Sequence, residues 1–259
     1  MRRDILKMAL AANTRGAHLG GSLSLVEIMA ALYGVMRIDP RNMTDGNRDR
    51  LILSKGHGVM AQYAALRQLG VLTEEDLRAF KAEDSPLTVH PAVSPILGID
   101  CATGSLGQGL SFAIGMALGL RLKGNAAPRV FVVLGDGECN EGAVWEAAMY
   151  AAHVSLGNLV VIVDKNGIQN DGFTKDIVRV ENMEDRWRAF GWEACSVDGH
   201  AVPDLEGALR APHTGPLAVI ARTIKGKGVS FMENVPQWHY GMVTDKIFAA
   251  AMHELEAHQ

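Results

Sequence analysis

Two stretches of this chain, Val130-Phe131-Val132-Val133-Leu134 and Leu159-Val160-Val161-Ile162-Val163, contain no polar residue, and each stops at a turn, Gly135-Asp136-Gly137 and Asp164-Lys165-Asn166-Gly167. A strand with one face in water alternates apolar and polar positions, so an unbroken run of this kind demands cover on both faces. Helices packed on each side of a parallel sheet provide it. Helical periodicity is legible over Ile5 to Ala12, Leu25 to Val35, Val59 to Leu69, Leu110 to Leu122, Glu141 to His153, Met183 to Phe190 and Thr244 to His258. Shorter strand-like runs occur at Arg50 to Ser54 and Ala218 to Ala221. The expected fold is therefore α/β, a mostly parallel sheet with helices on both faces. With 48% hydrophobic residues in 259 and no linker or repeat, residues 1–259 read as one domain.

Composition narrows the function. A net charge of -4 without any run of like charges leaves no footprint for nucleic acid or an anionic membrane, so an anionic ligand must be held locally. Cys101, Cys139 and Cys195 are odd in number and far apart, which fits neither a zinc site nor a disulfide framework. No window reaches the roughly 18 apolar residues of a membrane span, and the expected location is the cytoplasm.

Ligands of open parallel sheets bind beyond the carboxyl ends of the strands, where both turns lie. Gly137 allows a phosphate close to the backbone, and a helix beginning near Glu141 would aim its positive end there. Asp136 offers a hard oxygen to Mg²⁺ and Asn166 a neutral carbonyl oxygen; with one backbone carbonyl and diphosphate oxygens these suffice for an octahedral ion. Cys139, beside the turn, reads as a packing thiol.

The stretch GDGECNEGAVWEAAMYAAHVSLGNLVVIVDKNG resembles the thiamine-diphosphate signature, in which Gly-Asp-Gly is followed about thirty residues later by Asn; here Asn166 follows Asp136 by 30 residues. Four further segments, GAHLGGSLSLVEI, LSKGHGVMAQYAAL, TGSLGQGLSFAIGMA and KGKGVSFMENVPQWHYG, are similar to transketolase in the same order. The resemblance covers nearly the whole chain. It implies the thiamine-diphosphate-binding fold, with Asp136, Asn166 and the carbonyl of Ile168 on Mg²⁺ (Ca²⁺ or Mn²⁺ as substitutes). Gly137 and Gly104-Ser105-Leu106 would contact the cofactor, with His57 and Lys225 on the cofactor side. His18, His90 and His239 would face the sugar, and imidazoles suit proton movement near neutral pH. His153, His200, His213, His253 and His258 read as caps or core residues. Glu141 reads equally as a first-turn glutamate at a helix dipole or as a link between paired active sites. Lys225 and Lys227 read as a solvated basic loop or as phosphate contacts.

Transketolases also carry a half that binds the aminopyrimidine ring and supplies an activating glutamate, and no segment here resembles it. The resemblance thus implies a C-terminal partner subunit, in an assembly of two copies of each, acting on sugars or sugar phosphates. Other thiamine-diphosphate enzymes, such as a deoxyxylulose-phosphate synthase or a 2-oxoacid decarboxylating component, are the nearest alternatives. A non-catalytic homologue and a generic nucleotide-binding domain are more distant ones.

Overall fold

The structure is a computed structural model that describes residues 1–257 apart from Ala126 and Val180. In chain order it runs α1 (Arg2–Ala12), α2 (Gly20–Leu23), α3 (Val26–Val35), β1 (Arg50–Leu53), α4 (Val59–Gln68), α5 (Glu74–Arg78), α6 (Gly109–Leu122), β2 (Val130–Gly135) and α7 (Gly142–His153). The remainder is β3 (Leu159–Lys165), α8 (Thr174–Ile177), α9 (Met183–Ala189), β4 (Glu193–Asp198), α10 (Val202–Arg210), β5 (Leu217–Arg222) and α11 (Asp245–Ala257). The five strands form one sheet in the order β1-β2-β3-β5-β4, and every neighbouring pair is parallel. The expected fold class is the one observed.

The apolar runs behave as their composition requires. Along β2, Phe131 and Val133 point into a core built with α1, α3, α4 and α10, whereas Val130, Val132 and Leu134 point into a second core built with α6, α7 and α9. Two layers of helix therefore bury both faces of the central strands, and all six residues of β2 are buried. Register places Gly135 opposite Asp164, and Asp164 opposite Ala221, so three strands end level with one another.

Several short or amphipathic elements differ from the sequence expectation. The sequence does not announce β4, because Glu193-Ala194-Cys195-Ser196-Val197-Asp198 is polar and only half-buried, as an edge strand is. Nor does it announce the amphipathic α10 or the short α5, which opens on a capping box at Thr73. Gly20 and Gly21 begin α2, a four-residue helix that the residue types there do not announce either. The expected end of the terminal helix, His258, lies outside the described residues.

Candidate active site

The carboxyl ends of four neighbouring strands converge on one cavity of about 270 Å³. β1 delivers Lys55 and the tight turn Gly56–Gly58 that carries His57. β2 delivers Asp136 and Gly137; β3 delivers Asn166 and Ile168; beyond β5 comes Lys225. His18, His90, His239, Gly104 and Leu106 complete the wall from segments outside the sheet. The cleft beyond the strand ends is where an open parallel sheet leaves room for a ligand.

Beneath the cavity lies a network of buried charge that the sequence does not single out. The Asp164 carboxylate is fully buried and accepts hydrogen bonds from Ser24 Oγ (2.7 Å), Asn166 Nδ2 (3.1 Å), Thr223 Oγ1 and Lys55 Nζ. Burial alone would raise its pKa, but the Lys55 charge and these donors outweigh that and hold it below the usual carboxylate value. Glu138, also buried, accepts from Ser54 Oγ, the Gly107 N–H (2.9 Å) and the Gly135 N–H (3.0 Å). One carboxylate thus ties the loops after β1 and β2 to the turn that leads into α6. Burial raises its pKa.

Asp136 is 2% exposed, and its oxygens accept the Gly137 N–H (2.9 Å) and the Gly167 N–H (2.6 Å). Burial, and next the charge of Asp164, push its pKa up to about 6. An excess of negative charge in a desolvated corner is what a bound cation relieves. Among the described residues Asn166 Oδ1 accepts only the Ile168 N–H (3.1 Å), and the Ile168 carbonyl accepts from Lys225 Nζ (2.8 Å). Carboxylate, amide and peptide oxygens each retain acceptor capacity beyond these bonds, so the donor set fits a small hard cation beside a diphosphate. No group of three His, Cys, Asp or Glu among the described residues could hold a metal, and this donor set needs none.

Four histidines crowd the other part of the wall. The ring centroid of His18 lies 5.4 Å from that of His57, 5.7 Å from His90 and 5.5 Å from His239, and His57 lies 5.2 Å from His239. Burial is the first cause that lowers each pKa, and neighbouring cationic side chains add to it. His18 falls to about 4, His239 to about 3, and His57 well below its ordinary value. At neutral pH they are uncharged imidazoles, able to accept as well as donate a proton. Lys225 Nζ sits 2.8 Å from His239 Nδ1, and an ammonium can only donate, which places the His239 proton on Nε2. The His18 segment is pinned by a bridge in which the Ala17 N–H donates to Gly241 O (2.8 Å) and the Gly241 N–H to Ala17 O (3.0 Å). Gly104, at φ +136°, lies so near His90 that a Cβ would fall 3.0 Å from the ring.

All expected site residues line this cavity except Ser105, which is exposed in an adjoining groove with Gln108 and Phe112. Lys225 is buried in the wall, whereas Lys227 pairs with Glu233 at 3.4 Å and lines a separate cavity. The solvated-loop reading is thus corrected for Lys225. A tight turn over Gly137–Asn140 precedes α7, so the helix does not begin directly on the Gly-Asp-Gly segment. Glu141 occupies the N-cap of α7 with no side-chain capping bond and an exposed side chain. Cys139 is a buried thiol whose pKa burial drives far up, consistent with packing. His200 is structural: Nδ1 faces Glu27 Oε2 at 2.9 Å and Nε2 accepts the Ile224 N–H at 2.8 Å, immediately before Lys225.

Known proteins resemble this chain in sequence and in fold. The family model described as "Transketolase, thiamine diphosphate binding domain" matches residues 2–255. A 6-deoxy-6-sulfo-D-fructose transketolase subunit from a Clostridium species (strain MSTE9) is 43% identical over 243 residues, covering 92% of this chain and 88% of that protein. An apulose-4-phosphate transketolase subunit from Actinobacillus succinogenes is 38% identical over 260 residues, covering 99% and 93%. Among solved structures, transketolase from Campylobacter jejuni superposes with a TM-score of 0.90 at 30% identity, over 98% of this chain and 42% of that one. The chain therefore spans less than half the length of that transketolase.

Proposed function

The chain belongs to the transketolase family through its thiamine-diphosphate-binding domain, and on that premise we propose that it is the N-terminal, cofactor-anchoring subunit of a two-chain transketolase. The reaction is transfer of a two-carbon ketol unit from a ketose to an aldose. The observation that carries this reading is a single cavity with a hard-oxygen corner at Asp136, Asn166 and the Ile168 carbonyl and four neutral histidines.

When bound, thiamine diphosphate supplies a nucleophilic thiazolium carbon and a sink for the electrons of the broken C–C bond. The chain's own residues hold and orient. Asp136, Asn166 and the carbonyl of Ile168 would hold Mg²⁺ on the diphosphate, with Gly137 leaving room for it and Lys225 adding positive charge. His57, on the turn after β1, stands on the cofactor side. His18, His90 and His239 face the sugar, take a hydroxyl proton and return it; their lowered pKa values keep them unprotonated and ready to accept. Gly104 and Leu106 line the cavity with His90, and Ser105, between them in the chain, is exposed in the adjoining groove.

Residues 1–259 act as one domain in this scheme, and the pyrimidine-binding domain with its activating glutamate comes from a separate C-terminal chain in an α2β2 assembly. The naming of relatives as transketolase subunits supports such a partner. The exposed Glu141 suits the second of its readings, a link between paired sites. The sulfofructose and apulose phosphate relatives point to sugars with an anionic end outside the common pentose phosphates. No helix among the described residues is long and apolar enough to cross a membrane.

The test is co-expression with the neighbouring reading frame, followed by a ketol-transfer assay with and without Mg²⁺ and thiamine diphosphate. Donors are xylulose 5-phosphate and 6-deoxy-6-sulfofructose; a parallel reaction tests apulose 4-phosphate. Activity confined to the two-chain, cofactor-loaded sample is expected. Full activity of the single chain would refute the split-enzyme reading.

A further inference from the structure

We infer that the side-chain amide of Gln169 is a donor to the cofactor's diphosphate. Gln169 follows Ile168 in a small hairpin closed by the Ile168–Phe173 bridge and by the Gln169 N–H donating to Gly172 O (2.9 Å). Its backbone is therefore fixed, and its side chain lies across Gly137: a Cβ on Gly137 would meet Gln169 Oε1 at 2.7 Å and Gln169 Cβ at 2.9 Å. The Gln169 Nε2 atom is buried with no hydrogen-bond partner. A buried amide donor without an acceptor is costly and uncommon, and in a cavity it marks the place of a ligand oxygen.

Two neighbouring donors on this wall are engaged. The Gly137 N–H is taken by Asp136, and the Lys225 ammonium by Ile168 O and His239 Nδ1. Five buried polar side-chain atoms lack partners among the described residues, and only His18 Nδ1 and Gln169 Nε2 belong to cavity-lining residues. An amide NH₂ can only donate, so its missing partner is an acceptor. Its position over Gly137, beside the hard-oxygen corner, makes that acceptor a diphosphate oxygen rather than a sugar hydroxyl near the histidines. A neutral donor also suits a wall that already carries Lys55 and Lys225, because a third cation would add repulsion between like charges.

The inference rests on the cofactor reading above, and the experiment separates the two. The full chain, co-purified with its C-terminal partner, is titrated calorimetrically in Mg²⁺ with thiamine diphosphate and, separately, with inorganic pyrophosphate, which carries only the diphosphate end. Gln169→Leu is expected to weaken both ligands by roughly tenfold or more. Gln169→Asn keeps the amide and retains more affinity than the Leu variant, whereas Gln169→Glu sets a carboxylate against the diphosphate and binds more weakly than either. If a melting curve shows that the Leu variant is unfolded, the contrast between the polar Asn and Glu variants decides. Pyrophosphate affinity within about twofold of wild type in the Leu variant, or equal affinities of the Asn and Glu variants, would overturn the assignment. A wild-type two-chain assembly that binds neither ligand would overturn the cofactor reading with it.

Discussion

Replacing Lys55 with Met keeps most of the side-chain volume and removes the one ammonium, among the described residues, paired with the fully buried Asp164 carboxylate. Breaking a buried ion pair from one side leaves an uncompensated charge and costs about 3–5 kcal/mol. Ser24, Thr223 and Asn166 still donate to Asp164, which favours the lower end of that range. For a chain of this length roughly 2 °C of melting temperature corresponds to 1 kcal/mol, so Lys55→Met is expected to melt roughly 6–10 °C below wild type by calorimetry near pH 7. The pH dependence adds a second check. In the wild type Asp164 has a depressed pKa, so its stabilisation is present above the unfolded carboxylate value and is lost as pH falls through the folded one. Without Lys55, burial is left largely unopposed, protonation begins at higher pH, and the gap between variant and wild type narrows on acidification. The double variant Lys55→Met with Asp164→Asn removes the orphan charge and should recover at least half the loss. A single variant within about 2 °C of wild type, or a double variant that melts no higher than the single, would refute this account of the network.

Four further outcomes are expected. Asp136→Ala should weaken Mg²⁺-dependent retention of thiamine diphosphate by at least about tenfold in equilibrium dialysis, and unchanged retention would remove Asp136 from the metal corner. For His239→Ala in the two-chain enzyme, turnover should fall by about 10²-fold or more while cofactor affinity barely changes; loss of cofactor binding instead would move His239 to the cofactor side. Gly104→Ala forces a side chain into φ +136° against the His90 ring, so it should destabilise the chain by about 1–3 kcal/mol, read as a lower melting temperature, and lower turnover. His18 and His239 have folded pKa values of about 4 and about 3, below their unfolded values, so the unfolded chain binds more protons in between and stability must fall as pH drops from about 6.5 towards 4. Substituting either with Asn should flatten that slope in a series of thermal melts, and an unchanged slope would show that these imidazoles do not titrate as described.

Much of this site is legible as sequence because its residues sit where strands end. Asp136, Gly137, Asn166 and Ile168 follow apolar runs whose lengths set the turns, and all four reach the cavity. Gly104 and Leu106 also reach it, while Ser105, one residue between them, turns outward, an alternation that residue types do not reveal. Lys55, Asp164 and Glu138 carry no motif of their own. Their partners lie 109 residues away for Lys55 and Asp164, and 84 and 31 residues away for Glu138 with Ser54 and Gly107. Gln169 is silent in the sequence for the same reason, because only its lack of a partner over Gly137 distinguishes it.

The sequence alone determined the parallel sheet, since the runs Val130–Leu134 of β2 and Leu159–Val163 of β3 are apolar throughout and can exist only between two layers of helix. It also determined the chemical types at the strand ends, because turns there are short and local. Tertiary structure decided the strand order, with β5 inserted between β3 and β4, and thereby brought Lys225 beside Ile168. It decided the protonation states as well: an isolated histidine or aspartate has its ordinary pKa, and only burial among particular neighbours leaves the imidazoles uncharged and raises Asp136 to about 6.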